Sequence, residues 1–454
     1  MSLTFDTAYG DTPVSDLDKN QRDWFHPILD DVFRSQSAFL GLVPFAFNLG
    51  NVRAKNMTIS QLFGVHANFN AIGLRDIWMP KSHIDSRSVQ ITFNRYAGAV
   101  AYHEYDEMIT YWTKDATEGQ RRNTIEAILR SELGMQAVEV NDYLIRNAYL
   151  SGDFKLFAGT ATNFAGIGTS DLFDLETIDD IWLGMQYRDV PFAQSVPGGS
   201  APRGSMVCLT TPGVIQNIRQ DADWIDVQKY GNPQMLVNQY EVGTYHGVRF
   251  LVTPRMTLYN CGEIIAQAAL DGAHSAGDGS PDPDDSNQNV DGVYATGQSG
   301  MQHYIQLGAF GTGDINDFAV HDIVSIHVNR TNAHGVTNGA DYRDGTKQDR
   351  RVVAIDTAED RLVLDRPIMI DMASGYVTKA RHVHASLFLG GPGGVVVGVG
   401  RGIDLRTPPP VDDFESVHRF SWQMHQGYNV YRPEVFETVF SAGPIRVKGD
   451  KVTQ

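Results

Sequence analysis

Cysteine is nearly missing: Cys208 and Cys261 are the only two, so no disulfide framework supports the fold and a cytosolic folding site fits. Long apolar runs are missing too, and nothing approaches the ~20 residues of a membrane span. Positive charge is scarce, with 37 Lys and Arg against 54 Asp and Glu and a formal charge of −17. That balance argues against a protein that grips nucleic acid over a wide basic face. The first residues lack a positive segment followed by an apolar core, so no secretory signal peptide is expected. Signatures of catalysis are absent as well: there is no G-x-S-x-G, H-E-x-x-H or C-x-x-C.

Three stretches mimic chemistry. Gly390-Gly391-Pro392-Gly393-Gly394 lacks the lysine and spacing of a phosphate loop, and no helix follows it, so it reads as a hairpin turn between strands 384–389 and 395–399. Asp282, Asp284 and Asp285 in the acidic segment 271–300 invite a calcium reading, but the mid-loop glycine and terminal glutamate of an EF-hand are missing, and a solvated loop is the preferred reading. His382 with His384, and His321 with His327, share strand parity, yet strand histidines more often satisfy backbone or face solvent. Asp284-Asp285 and Asp412-Asp413 are adjacent carboxylates, which a strand turns to opposite faces. No catalytic, cofactor-binding or metal residue is therefore assigned, no cofactor is expected, and the chain is read as not an enzyme.

What is present is a globular composition, 42% hydrophobic and 20% charged over 454 residues, with 44 glycines that imply many turns. Residues 1–50 read as an arm, with seven acidic residues against Lys19 and Arg22 before Val32, then a Phe-rich piece from Phe33 to Leu49. That piece lies either across neighbouring subunits or on the chain's own core. Residues 51–105 read as an extended excursion, in which Val89, Ile91 and Phe93 alternate with polar residues as in a half-buried strand. The spacing predicts a long helix over 117–150, opened by a capping box at Thr117 and lined by Ile125, Ile128, Leu129, Leu133, Val138, Val140, Leu144 and Ile145. A shorter helix is predicted over 177–187, with Ile178, Ile181, Trp182 and Met185 inward, and another over Glu263–Ala269.

Between Thr210 and Arg255 the order is distinctive. Thr210-Thr211-Pro212 opens a helix carrying Val214, Ile215 and Ile218. A polar break, the amphipathic piece Trp224–Val227, and a Gly-flanked hairpin Glu241–Arg255 ended by Thr253-Pro254-Arg255 come next. Residues 318–382 look inserted, with a strand at 322–328, a tight hairpin at 351–364, and nine basic residues balancing nine acidic ones. They read as a small β-barrel or sheet module.

The wording of 210–255 and 383–440, with a long loop and a long helix before them, resembles the major capsid proteins of tailed bacteriophages, in the N-four-type coat family of the Hong Kong 97-type fold. The resemblance implies an α+β capsid fold: N-terminal arm 1–50, extended loop 51–105, peripheral domain 106–200 with its spine helix 117–150, axial domain 201–317, inserted β-module 318–382, and a return to the main body over 383–454. It places Met79-Pro80-Lys81 toward the loop tip, with no cross-link assumed at Lys81. It implies an icosahedral virion shell built from hexamers and pentamers in the host cytoplasm. The partners it implies are a portal protein, a decoration or cement protein on the outer face, and double-stranded DNA enclosed without sequence-specific binding and without a membrane. A container should not hold its cargo tightly, so the negative charge is compatible. A bacterial encapsulin-type compartment and an α+β carbohydrate-binding protein or enzyme, with Tyr342 and Tyr376 lining a sugar site, are the alternatives.

Overall fold

A computed structural model describes residues 39, 45–48, 55–65, 84–103, 118–190, 195–196, 199–200, 206–221, 224, 241–245, 247–274, 304–328, 340–391, 393–407 and 417–444. The Thr117 cap, the loop tip at Met79–Lys81, the acidic stretch from 275 to 300 and Asp412-Asp413 lie outside these residues.

Helix α1 runs Glu118–Leu150, 33 residues. At 1.5 Å per residue it is about 50 Å long. It is shared between two cores. Leu133 and Ala137 pack on Phe420, Trp422 and Met424 of one sheet, while Ile145, Tyr149 and Leu150 enter the main core. Val138, expected inward, stands on the outer side, because Ala137 one position earlier occupies the buried line.

The first sheet has four strands in the order 45–48, 395–406, 417–430, 94–103. Strand Phe45–Asn48 lies parallel to Val396–Val399, and Val417–Val430 pairs antiparallel with both Val395–Arg406 and Asn94–His103. Even-numbered residues of 420–428 face α1: Trp422 Nε1 donates to Gln136 Oε1 at 3.0 Å, and the Tyr428 hydroxyl bonds Asn141. Residues 94–103, expected in the extended loop, thus belong to the body of the protein. The excursion itself is a two-stranded ribbon, Asn56–Val65 against Ile84–Thr92. Val89 and Ile91 are buried as the alternation predicts.

The main core lies around a seven-stranded mixed sheet, ordered 155–157, 436–441, 383–389, 206–210, 248–252, 241–245, with 257–258 paired to 383–384. Helices α2 (Leu175–Tyr187) and α3 (Pro212–Gln220) cover it. The start of α3 obeys its sequence: Thr211 is the cap, its side chain accepting from the Val214 N–H, and Pro212 supplies a preset φ where no N–H is needed. Val214, Ile215 and Ile218 are all buried, as is Trp224. Strands 241–245 and 248–252 form the predicted hairpin, with Gly247 at φ 81° in its turn. In α2 the inward residues are Leu175, Ile178, Ile181 and Met185, and Trp182 is 37% exposed rather than buried.

The third unit is a closed six-stranded barrel, ordered 264–270, 305–312, 361–364, 348–356, 323–327, 376–380. Two sequence expectations fail here. Glu263–Ala269 is not a helix, since Ile264–Leu270 is a barrel strand paired on both sides. Its alanines favour a helix, but pairing on both edges and the burial of Ala266, Ala268 and Leu270 in the barrel core override that local preference. Consequently the β-module opens at residue 264, not 318. Asn260 marks the entrance: fully buried at φ 52°, it donates to Ile323 O and Ser325 Oγ and accepts from the Ala380 N–H.

The glycine-rich pentad is not a hairpin turn. Strand Val383–Leu389 belongs to the seven-stranded sheet and Val395–Arg406 to the four-stranded one, so the chain changes sheets there. Close approach explains the glycines. A Cβ on Gly390 would sit 2.5 Å from Val190 Cγ1, and one on Gly394 would sit 2.7 Å from Phe436 Cδ1. We therefore expect Gly394→Ala to lower the unfolding free energy by about 1–3 kcal/mol through overpacking, read from the midpoint of urea unfolding.

Candidate functional site

The most concentrated chemistry lies where α1 meets the end of the 248–252 strand. Thr253 caps a short 3-10 turn, Pro254–Met256, which aims Arg255 back at α1. Asp142 Oδ2 accepts from Arg255 Nη1 at 2.6 Å, and its Oδ1 accepts from the Phe39 N–H at 2.9 Å. Asp142 is 1% exposed and Arg255 7%. One helical turn on, Arg146 donates through Nη1 to Arg255 O at 2.8 Å and through Nη2 to Asn147 Oδ1 at 2.8 Å. Both guanidiniums lie over the Tyr143 ring, at 4.7 Å and 5.7 Å. Burial holds the Arg146 guanidinium below its usual range. A cleft of about 730 Å³ borders this knot, closed on its other side by Tyr342, Lys347 and Asp349.

The cleft's polar groups are engaged structurally. Lys347 Nζ meets Asp349 Oδ1 at 2.7 Å, and Ser325 Oγ donates to the same carboxylate. Tyr342, proposed for a sugar site, is buried in the main core and donates its hydroxyl to Leu150 O at 3.2 Å. Tyr376 stands on a barrel strand against the His327 ring, so the two tyrosines serve different units.

The paired histidines are also bound within the fold. His384 Nδ1 lies 2.7 Å from Thr211 Oγ1 and its Nε2 lies 3.0 Å from Gly443 O. His382 Nδ1 accepts from the Asn260 N–H at 3.1 Å. Burial pushes both imidazoles down to about 4. His321 is in a turn at φ 77° rather than on a strand, and His327 Nε2 lies 2.8 Å from Thr378 Oγ1. Sequence reasoning found Arg255 as the end of a motif but missed Asp142 and Arg146. Their local signal is a charged pair set four apart on one helix, at 142 and 146.

Outward-facing features are of a different kind. On α2, Leu183 and the 85%-exposed Tyr187 stand four residues apart beside Trp182. In the barrel, Met369 and Ile370 project together. Ile403 and Leu405 extend the α1 side of the four-stranded sheet with apolar surface. The ribbon's strands pair with each other, and its described contacts with the body are near its base, where Ile91 and Thr92 meet Gly427, Phe93 meets Gly398, and Asn429 Nδ2 donates to Gln90 O. The Phe-rich arm is partly anchored at home: Phe39 is fully buried, and Phe45–Asn48 pairs with the chain's own Val396–Val399.

No family profile and no curated protein matches the chain. Among solved structures it is similar to phage capsid subunits. The capsid of Ralstonia phage GP4 shares 12% identity, covering 97% of this chain and 98% of that one, with a TM-score of 0.49. The capsid of cyanophage P-SCSP1u shares 11%, covering 95% of each, at 0.48. The mature capsid of bacteriophage PhiM1 shares 10%, covering 92% and 90%, at 0.48.

Removing Asp142 takes the carboxylate from the buried Arg255 guanidinium and the acceptor from the Phe39 N–H. Asp142→Ala should cost about 3–5 kcal/mol of stability, measured by urea unfolding. For the histidines the sign comes from protons. The unfolded chain binds them near pH 6.5, and the folded chain only near about 4. Stability should therefore fall as pH drops from 6.5 to 4, by about 1.4 kcal/mol per pH unit per histidine across that window. A His382→Gln/His384→Gln variant should flatten that loss in urea midpoints taken every half unit.

Proposed function

We propose that the chain is the major capsid protein of a tailed bacteriophage, a coat subunit whose role is mechanical rather than catalytic. The observation that carries this is the ribbon 56–65/84–92. Its strands would be about 30 Å long at 3.3 Å per residue. A two-stranded ribbon alone is marginal in water and needs a further surface to cover it. A sister copy supplies such a surface, and closed symmetry lets one set of contacts repeat around the whole assembly. The exposed apolar groups on α2 and at Met369-Ile370 suit the same purpose.

In this reading α1 and the four-stranded sheet form the peripheral domain, and the seven-stranded sheet with α2 and α3 forms the axial domain, so strand 155–157 and α2, expected in the peripheral domain, move to the axial one. The barrel is an insertion, available to a neighbour or to a decoration protein. Hexamers and pentamers close an icosahedral shell in the host cytoplasm, meet a portal protein at one vertex, and enclose double-stranded DNA without reading its sequence.

Electron microscopy of the purified full chain should show closed shells or hexameric and pentameric capsomers. Replacing residues 59–89 with a short Gly-Ser linker should leave circular dichroism and the unfolding transition of the body near wild type while abolishing the particles. A monodisperse monomer from the intact chain, or particles from the deletion variant, would sink the reading.

A further inference from the structure

The four-stranded sheet has two unlike faces. One is covered by α1. On the other, the pairing register sets Arg401, His425 and Arg95 in one cross-strand row. The next row is Asp404, Gln423 and Ala97, and the row after it is Arg406, Ser421 and Ala99. Arg419 lies two residues further along the central strand, in register with Ala101. Arg95, Arg401, Arg406 and Arg419 are all exposed, as are Ala97 and Ala99. Four guanidiniums thus stand over small side chains, with Asp404 as the one carboxylate in these rows. Asp404 pairs with both Arg401 and Arg406, and Arg95 Nη2 donates to Gln423 Oε1 at 3.0 Å. These contacts hold three of the four guanidiniums in a fixed layout and leave a net positive face on a chain of charge −17.

We propose that this face is a contact surface for the phosphate backbone of double-stranded nucleic acid. The inference deepens the shell reading by assigning which side of the peripheral sheet meets the enclosed DNA. Adjacent strands lie about 4.8 Å apart and residues advance about 3.4 Å, so the patch measures roughly 10 by 20 Å. A duplex carries one charge per about 1.7 Å of axis, so that footprint faces several phosphates. Arginine matches phosphate through paired N–H donors. None of the rows offers a deep groove or a protruding helix that would read base edges, so the contact is indifferent to sequence. The overall negative charge keeps it weak and local.

The test uses the full chain as soluble subunits, cleared of particles by sedimentation, with a fluorescent 30-base-pair duplex of mixed sequence. Anisotropy is measured from 50 to 300 mM NaCl. Wild type should bind at low salt, with log K falling linearly against log salt. The variant Arg95→Gln/Arg401→Gln/Arg406→Gln/Arg419→Gln should bind at least about tenfold more weakly at 50 mM, with a slope shallower by about 3. Asp404→Asn, a single change on an exposed strand, should bind several-fold more tightly, and it decides the matter if the quadruple variant fails to fold. Three results would overturn the assignment: no wild-type binding, unchanged slopes in both variants, or a quadruple variant that loses binding to a peptide of residues 1–31 while keeping the duplex. The last result would make the face a contact between copies. Particle formation is scored separately by microscopy, so failure here and failure of the shell reading are distinct results.

Discussion

The fold depends on one buried carboxylate. Asp142 sits on α1 and holds Arg255 at the end of the strand 248–252 and the backbone of Phe39 in the arm. Three segments separated by more than a hundred residues therefore converge on two oxygens. Desolvating such a pair costs about as much as its attraction returns, so its net contribution to stability is small. Its value is positional. A helix of nine turns on a sheet can slide by one turn at little hydrophobic cost, because Leu, Ala and Val recur along it. A slid register would leave Asp142 and Arg255 buried and apart, which costs several kcal/mol. The pair therefore fixes where α1 stops against the mixed sheet, and Arg146, held on Arg255 O over the same Tyr143 ring, reinforces it.

Once that register is set, the rest of α1 has its place. Its earlier half presents Leu133 and Ala137 to the four-stranded sheet, and its last turns present Ile145, Tyr149 and Leu150 to the main core. One rigid rod therefore orients two sheets that share no strand. The switch at Gly390–Gly394 is the second link between them, passing directly from one sheet to the other under Phe436 and Val190. The shell subunit we propose needs this stiffness. If the ribbon and the apolar face of α2 are to meet neighbours in a repeating pattern, the body between them must hold its angle.

Much of this was legible in the sequence where physics is local. The long helix, the Thr211 cap with Pro212, the hairpin at Gly247, and the alternation at Val89 and Ile91 each arise from spacing and turn chemistry within a few residues. What was not legible depends on distant partners. Ile264–Leu270 carries three alanines and reads as a helix until strands some 40 and 110 residues later close on both of its edges. The glycine pentad reads as a turn because glycine marks both turns and close packing, and only the position of Phe436 separates the two. The Phe-rich arm reads two ways, across neighbouring subunits or on its own core, because nothing near it in sequence shows that Asp142 receives the Phe39 amide. Asp142 itself is an ordinary charge on a helix until Arg255 is brought 113 positions back to it.

Charge shows the same contrast between sum and placement. A total of −17 over 454 residues argues against a nucleic-acid binder. Yet a β-sheet sorts side chains by parity, and parity has nothing to do with the total. In 417–430 the even positions go to α1 and the odd ones to the other face. The bulge in 395–406 brings Arg401 and Arg406 onto that same odd face beside Arg95. A local positive field decays within about 8–10 Å in physiological salt, so the acidic remainder of the surface neither cancels it at contact nor draws nucleic acid from afar. In the container we propose the two act in different places: the acidic remainder gives enclosed DNA no hold on most of the wall, while a few arginines per subunit bear against it on contact.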